Sequence, residues 1–336
     1  MPKEPMLETM PSDGAAPSLG SEVTPAETIA DQVAEIKPDS KPEPQEKPWQ
    51  VFLQSAKTKD IKERFIREIE KTLAAHGMQK YCVLALLEPE DSIDSYDLDA
   101  IFDALSKLNP DRSKDVLLVL LSRGGSIEPA YQISKLCKSF AKDRFIAVVP
   151  RHAKSAATLV SIGADEIHMG PLGQLGPIDP QLGSLPALGV SQALKTIASV
   201  AENHPGSAEM FARYLRLALT VEQVGYCDRI SESAVQYAVR LLSTKPELGA
   251  RAEGIAQELV YGYKDHGFVI DIEEAKIHLG DEWIKTGTPE LAAAEIIYSH
   301  FELVNFYLGL AKSKRLVVTG GITLPGSILL FNKRGD

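Results

Sequence analysis

The chain has 336 residues, 44% of them hydrophobic, which is enough to bury one large core or a core with a helical appendage. The formal net charge of −10 argues against a nucleic-acid-binding surface, which needs clustered Lys and Arg. The three cysteines, Cys82, Cys137 and Cys227, form no CxxC pair, and the histidines form no HExxH signature, so the sequence predicts no disulfide framework, metal or other cofactor. This cysteine usage fits a reduced, cytoplasmic setting.

The first 48 residues predict a disordered, acidic and proline-rich tail. They hold nine prolines, ten acidic residues, four basic residues and no aromatic residue. Such a segment cannot bury enough apolar surface to offset its ordering entropy. The sequence has no apolar run of the length of a signal peptide or a transmembrane helix, which argues against a spanning anchor and leaves peripheral membrane contact open.

Strand and helix patterns alternate from residue 49 to residue 185. The strand patterns are continuous in apolar residues, as is typical of parallel strands that are buried on both faces. Alternation of this kind predicts an α/β fold with a largely parallel sheet. The predicted strands are 81–87, 116–121, 145–149 and 166–169, and the predicted helices are 58–76, 95–108, 126–141 and 155–162.

Helical periodicity dominates the next part of the chain, residues 186–311, which we interpret as a helical part of the same domain. Residues 312–336 carry β-rich runs around Gly320, Gly321 and Pro325, and they predict a hairpin or a swapped arm. The predicted helices in the helical part are 189–203, 207–223, 229–244, 247–261 and 289–311.

Candidate catalytic groups follow two of the predicted strands. Gly124 and Gly125 follow strand 116–121 after Ser122 and Arg123, and two glycines at a strand-to-helix turn permit backbone conformations closed to other residues. Their N–H groups lie at the start of a helix, where they can stabilise an oxyanion. Ser155 follows strand 145–149 and opens an apolar helix, so its hydroxyl is either an N-cap or a nucleophile, with the N–H of Ala156 joining the oxyanion hole.

A long run around Ser155 resembles a known family. The run AKSAATLVSIGADEIHMGPLGQLGPIDPQ is similar to the serine dehydrogenase proteinase group of the Clp protease and signal peptide peptidase A superfamily. The strong part of the resemblance covers residues 116–183, about a fifth of the chain. One departure is Arg123, which stands where the Clp subunit has proline.

The resemblance implies a ClpP/crotonase-like α/β core of stacked ββα units with a helical C-terminal extension. It implies that Ser155 is the nucleophile and that Gly124, Gly125 and Ala156 form the oxyanion hole. It also implies a peptide or protein substrate and a homo-oligomer.

The general base stays open at this point. Lys195 would give a Ser–Lys dyad, since relatives that resemble signal peptide peptidase use a Lys at a comparable distance and burial lowers the pKa of a Lys. His266, oriented by Asp179 or Asp265, would complete a Ser–His–Asp triad. Two further histidines lie closer to the nucleophile in the sequence, His152 and His168.

The leading hypothesis is therefore a serine hydrolase, a peptidase that is ATP-independent or adaptor-assisted and acts through an acyl-enzyme at Ser155. One alternative is an acyl-CoA-binding enzyme of the crotonase type, which would use the same oxyanion hole without a covalent serine. A second alternative is a non-catalytic assembly or adaptor protein that keeps the fold.

Overall fold

A nine-stranded sheet lies at the centre of the part of the chain that the structure describes. The computed structural model describes residues 47–182 and 185–332, so the predicted tail lies outside the described residues except for its last two positions. The strands of the large sheet are β1 (Tyr81–Glu88), β2 (Asp115–Ser122), β3 (Phe145–Val149), β4 (His152–Ala153), β5 (Glu166–Met169), β6 (Gln174–Leu175), β9 (Ile284–Lys285), β10 (Lys314–Gly321) and β11 (Ile328–Asn332), while β7 (Gln181–Leu182) and β8 (Leu185–Pro186) form a separate pair.

The sheet has the order β11-β10-β1-β2-β3-β5-β9, and the short strand β4 pairs with both β2 and β6. All neighbours from β1 to β9 are parallel. The largely parallel sheet predicted from the apolar runs is thus confirmed. The β-rich arm is a hairpin of β10 and β11, which extends the sheet antiparallel to β1.

Twelve α-helices occur in the described part of the chain. Most lie where helical periodicity predicted them, although two short ones, α1 and α11, were not predicted. The helices are α1 (Trp49–Ser55), α2 (Thr58–Ala75), α3 (Ser95–Leu108), α4 (Ile127–Phe140), α5 (Ala156–Ile162), α6 (Ala187–Asn203), α7 (Ala208–Ala218), α8 (Val221–Leu242), α9 (Pro246–Gly249), α10 (Ala252–Gln257), α11 (Ile272–Leu279) and α12 (Pro289–Lys312).

Both faces of the sheet are buried. Leu84 and Leu118 point into a hydrophobic cluster shared with α3, α4, α5, α8 and α10. Val83 and Val119, one residue along each strand, point into a second cluster shared with α1, α2 and α12. Burying one such side chain contributes roughly 1.5–3 kcal/mol. This two-sided burial explains why the strands read as uninterrupted apolar runs.

The helical part packs onto the same core as the sheet. Ala234 and Leu241 from α8 and Ile255 from α10 lie in one cluster with the β1 and β2 side chains. This packing supports the proposal that residues 186–311 belong to the same domain as residues 49–185. Across the part of the chain that the structure describes, none of the helices is both long and apolar enough to cross a membrane.

Candidate active site

Ser155 lies at the turn between β4 and α5. Its backbone has φ +51° and ψ −118°, a conformation that is rare for a residue with a side chain and that persists only where the surroundings fix it. The Ser155 side chain makes no capping hydrogen bond to α5, so the N-cap alternative is not what the structure shows. The half-buried residue instead lines a cavity of about 410 Å³, here called the Ser155 cavity, together with Gly124, Gly125 and His266.

The sheet brings the serine turn to the glycine turn. Ala153 of β4 pairs with Ser122, the last residue of β2, and the Lys154 N–H donates to the Ser122 carbonyl at 3.0 Å. The chain after β2 and the chain after β4 therefore leave the sheet side by side. A Cβ on Gly124 would lie 2.7 Å from the Ser155 Cβ, closer than real Cβ contacts, so only glycine permits this approach.

Hydrogen bonds around the glycine turn leave one of its two glycine amides available. The Gly124 N–H donates to the Ser122 hydroxyl at 3.1 Å, and the Gly124 carbonyl accepts from the Ile93 N–H at 2.9 Å. The N–H groups of Gly125 and Ala156 donate to no acceptor among residues 47–182 and 185–332. The pair available to an oxyanion is therefore Gly125 and Ala156. The sequence prediction that Gly124 also serves is corrected, because its N–H points to Ser122.

His266 lines the Ser155 cavity, although it follows Ser155 by more than a hundred residues in the sequence. Its Nδ1 lies 3.8 Å from Oδ2 of Asp179, whose side chain is buried. The loop that carries His266 is fixed at its end by two backbone hydrogen bonds between Ile270 and Leu175, of 2.9 and 3.1 Å. Ser155 and His266 thus line one cavity, and the Asp179 carboxylate lies beside the His266 ring, while the triad itself stays a prediction.

Lys154 connects the His266 loop to the serine turn, a role that sequence reasoning missed. Its Nζ donates to the carbonyl of Phe268 at 2.8 Å and to that of Gly267 at 3.3 Å. Burial lowers the pKa of Lys154 below its usual value. Because Lys154 directly precedes Ser155, these bonds hold the residues after His266 close to Ser155.

Lys195 lies elsewhere. It is exposed on α6 and does not line the Ser155 cavity. His152 lines a neighbouring cavity, where burial, followed by the charges of Arg123 and Lys154, lowers its pKa. Arg123 borders both cavities.

The two remaining candidates are engaged by other groups. His168 is buried on β5, with Nδ1 2.8 Å from the Thr288 hydroxyl and Nε2 3.0 Å from a carboxylate oxygen of Glu166. Asp265 accepts a hydrogen bond from the Gly267 N–H at 3.0 Å within its own loop. Asp179, rather than Asp265, is therefore the carboxylate that faces the His266 ring.

Helix α8 supplies much of the apolar wall of the Ser155 cavity. Tyr226 and Ile230 lie on this helix, and Ile127 contributes from the start of α4. An apolar wall beside a few convergent polar groups is typical of a substrate-binding cleft.

The mainly parallel sheet, with a serine and a glycine pair on adjacent strand-to-helix turns, defines a ClpP-like α/β protein. The sequence profile of the family described as ClpP-like SDH-type serine proteinase matches residues 87–308. This match covers most of the chain, so the chain belongs to that family. The family and the ClpP-like fold expected from the resemblance are thereby confirmed.

Two curated relatives are uncharacterized proteins of Methanocaldococcus jannaschii. One is 29% identical over 180 residues, which are 53% of this chain and 56% of that protein. The other is 33% identical over 76 residues, which are 23% of this chain and 26% of that protein. The chain therefore spans about half the length of the first relative and about a quarter of the second.

Similar solved structures include two proteases. An alanine mutant of the 1510-N membrane-bound stomatin-specific protease has a TM-score of 0.39 and 16% identity, over 67% of this chain and 84% of that chain. ClpP1 from Listeria monocytogenes has a TM-score of 0.36 and 14% identity, over 65% of this chain and 99% of that chain.

Proposed function

We propose that this protein is a serine peptidase that cleaves peptide bonds through an acyl-enzyme on Ser155. One observation carries the proposal: Ser155, which has a positive φ and whose side chain does not cap α5, lines the same cavity as the Gly125 turn and His266. A nucleophile, a base and amide donors around one cleft are the parts that acyl transfer needs.

In the proposed reaction, the Ser155 hydroxyl attacks the peptide carbonyl carbon while His266 Nε2 takes its proton. The carbonyl oxygen becomes an oxyanion and accepts hydrogen bonds from the N–H groups of Gly125 and Ala156. Collapse of this intermediate breaks the C–N bond, and the leaving amine takes the proton from His266. Water, deprotonated by His266, then attacks the ester carbon; the C–O bond to Ser155 breaks, the serine oxygen takes the proton back from His266, and the carboxylic acid is released.

Asp179 has the orienting role in this proposal. Its carboxylate faces His266 Nδ1, which directs the other ring nitrogen to the nucleophile and stabilises the imidazolium that forms. The 3.8 Å separation is longer than a hydrogen bond. Such contacts are often long in unliganded sites and tighten when substrate binds.

His266 is preferred to Lys195 as the base for a physical reason. A lysine becomes an effective base when burial removes its ammonium from water. Lys195 is exposed and outside the Ser155 cavity, whereas His266 lines it.

Labelling with a fluorophosphonate probe tests the proposal. We expect the wild-type protein to be labelled, Ser155→Ala to abolish labelling, and His266→Ala to slow it by about a hundredfold or more. Lys195→Met is the matched comparison and should label at the wild-type rate. Absence of wild-type labelling would favour the adaptor alternative, and loss of labelling in Lys195→Met alone would restore the Ser–Lys dyad.

We further propose that the substrate is a peptide or protein, that the working form is a homo-oligomer and that the protein acts in the cytoplasm. The apolar wall formed by Tyr226, Ile230 and Ile127 suits an apolar stretch of peptide. Light scattering on the full chain, and on a variant lacking residues 1–48, measures the oligomer and shows whether this segment holds it together.

A further inference from the structure

Two buried polar residues lie directly beneath the glycine turn. Glu88 ends β1 and Ser122 ends β2, and the two are opposite each other in the sheet. They are 2% and 0% exposed. The Ser122 hydroxyl donates to Oε1 of Glu88 at 3.2 Å and accepts from the Gly124 N–H at 3.1 Å.

The direction of this hydrogen-bond chain follows from the number of protons. A hydroxyl has one proton to donate and can accept at its lone pairs. Because a backbone amide nitrogen can only donate, the Gly124 N–H donates to the Ser122 hydroxyl, and that hydroxyl donates its one proton to Oε1 of Glu88. These two hydrogen bonds run from the turn to the carboxyl group.

The hydrogen bonds from Gly124 to Ser122 and from Ser122 to Glu88 determine which amide of the turn faces Ser155. Gly124 and Gly125 have φ values of +109° and +157°, and glycines in a turn can rotate to other conformations at little steric cost. The buried Gly124 N–H is engaged by the Ser122 hydroxyl. The next amide, that of Gly125, is therefore available to a group bound in the Ser155 cavity. Removing the acceptor would leave a buried N–H unsatisfied and favour rotation of the turn.

We propose that Ser122 and Glu88 are positioning residues for the oxyanion hole, which fix the glycine turn so that the Gly125 N–H faces the Ser155 hydroxyl. This inference rests on the proposed function and extends it to two residues that touch no substrate.

The protonation of Glu88 fits this role. Burial, followed by the charge of Asp97, raises the pKa of Glu88 to about 9, so the group is a neutral acid at neutral pH. A neutral acid accepts the Ser122 hydrogen bond without placing a negative charge beneath a developing oxyanion. The charged groups that face Glu88 are Asp97 on α3, Asp91 and Asp94 in the loop after β1, and Arg315 on β10.

The first test is Ser122→Ala, measured by the rate of fluorophosphonate labelling and by hydrolysis of p-nitrophenyl butyrate. We expect kcat to fall by about 10- to 100-fold, with KM unchanged within about twofold, because the oxyanion exists only after substrate has bound. Ser122→Thr keeps the hydroxyl and should restore most of the rate. Ser134→Ala is the control: this serine is equally buried and donates one hydrogen bond, to the Val160 carbonyl at 3.2 Å.

If Ser122→Ala fails to fold, variants of Glu88 test the same positioning role. Glu88→Gln still accepts from Ser122 and cannot ionise, so it should retain the neutral-pH rate, whereas Glu88→Leu should lower kcat. The wild-type rate should fall above about pH 9, where Glu88 becomes an anion, and the Glu88→Gln rate should not.

The outcomes separate the two proposals. Wild-type labelling lost in Ser155→Ala supports the proposed function, and equal kcat in wild type, Ser122→Ala and Glu88→Leu would then overturn this inference alone. A wild-type protein that neither labels nor hydrolyses the ester overturns the proposed function itself.

Discussion

Gly125 is fixed by both conformation and space. Its φ of +157° lies where side chains are rarely accommodated, and a Cβ there would lie 2.3 Å from the Ile93 nitrogen. Gly125→Ala must therefore displace the turn that presents the amide. We expect fluorophosphonate labelling to slow by about a hundredfold or more, as when an oxyanion-hole donor is lost.

Gly254→Ala is the matched control for Gly125→Ala. Gly254 lies in α10, and a Cβ there would meet nothing within 4 Å. This change should leave labelling unchanged and raise the free energy of unfolding by as much as about 1 kcal/mol, because alanine favours a helix. Equal labelling rates in the two variants would contradict the assigned role of the Gly125 amide.

The site residues that the sequence predicted share one signal. Ser155, Gly125 and Ala156 lie just after buried strands, where parallel strands of one sheet open onto a common edge. The sequence did not predict Ser122 and Glu88 as site residues, because their contact joins residues 34 positions apart. Each is a polar residue at the end of an apolar strand, and that pattern could have indicated them. Lys154 reaches across 114 positions to Phe268, and its neighbours in the sequence give no hint of that contact.

At the scale of elements, the sequence predicted the type and bounds of a helix or strand best where apolar periodicity and capping residues indicate the same ends. Helix α3 spans 95–108 as predicted, and Asp94 caps it by accepting from the Tyr96 N–H at 2.7 Å. The predicted helix 207–223 is instead interrupted, with α7 ending at Ala218 and α8 beginning at Val221. The predicted helix 247–261 likewise divides into α9, α10 and a π-helical turn over Glu258–Gly262.

The break before α8 has a clear local cause. The Thr220 hydroxyl accepts from the Gln223 N–H at 3.2 Å, and the Gln223 side chain accepts from the Thr220 N–H at 2.9 Å. This reciprocal pair is a capping box, and its Thr-x-x-Gln signature was present in the sequence. Apolar periodicity continues on both sides of the break, so periodicity alone hid it.

Thr220→Ala removes the side-chain cap of α8. We expect the free energy of unfolding to fall by about 1 kcal/mol, as is usual for loss of an N-cap. Urea denaturation measures the change, and Thr220→Ser, which retains the hydroxyl, should stay close to wild type. A Thr220→Ala protein as stable as wild type would show that packing, rather than the cap, sets the start of α8.

At the scale of the whole molecule, a buried lysine couples stability to pH. Lys245 is 4% exposed, donates to the Ile162 carbonyl at the end of α5 and lies 4.6 Å from the centre of the Trp283 ring. Burial lowers the pKa of Lys245 from 10.5 to about 7. Between these two values the unfolded chain binds a proton that the folded chain does not, so rising pH stabilises the fold.

Lys245→Met should remove this dependence. The free energy of unfolding of the wild type, minus that of the variant, should rise between about pH 7 and about pH 10 by as much as about 1.4 kcal/mol per unit. Glu88 acts in the opposite direction, because its raised pKa makes the fold lose stability as pH rises towards about 9. Subtracting the free energy of Lys245→Met from that of the wild type cancels the Glu88 contribution, which both proteins share. Lys59→Met, at an exposed surface position, is the control and should leave the pH dependence unchanged.

Hydrogen bonds between Leu175 and Ile270 and between Lys154 and Phe268 attach the loop that carries His266 to the rest of the molecule. The pairing of β2 with β4 fixes the Ser155 turn relative to the glycine turn, whereas the His266 ring lies on a separate loop far along the chain. Under the proposed function, replacing the loop that carries His266 exchanges the base without altering the spacing between Ser155 and the Gly125 amide.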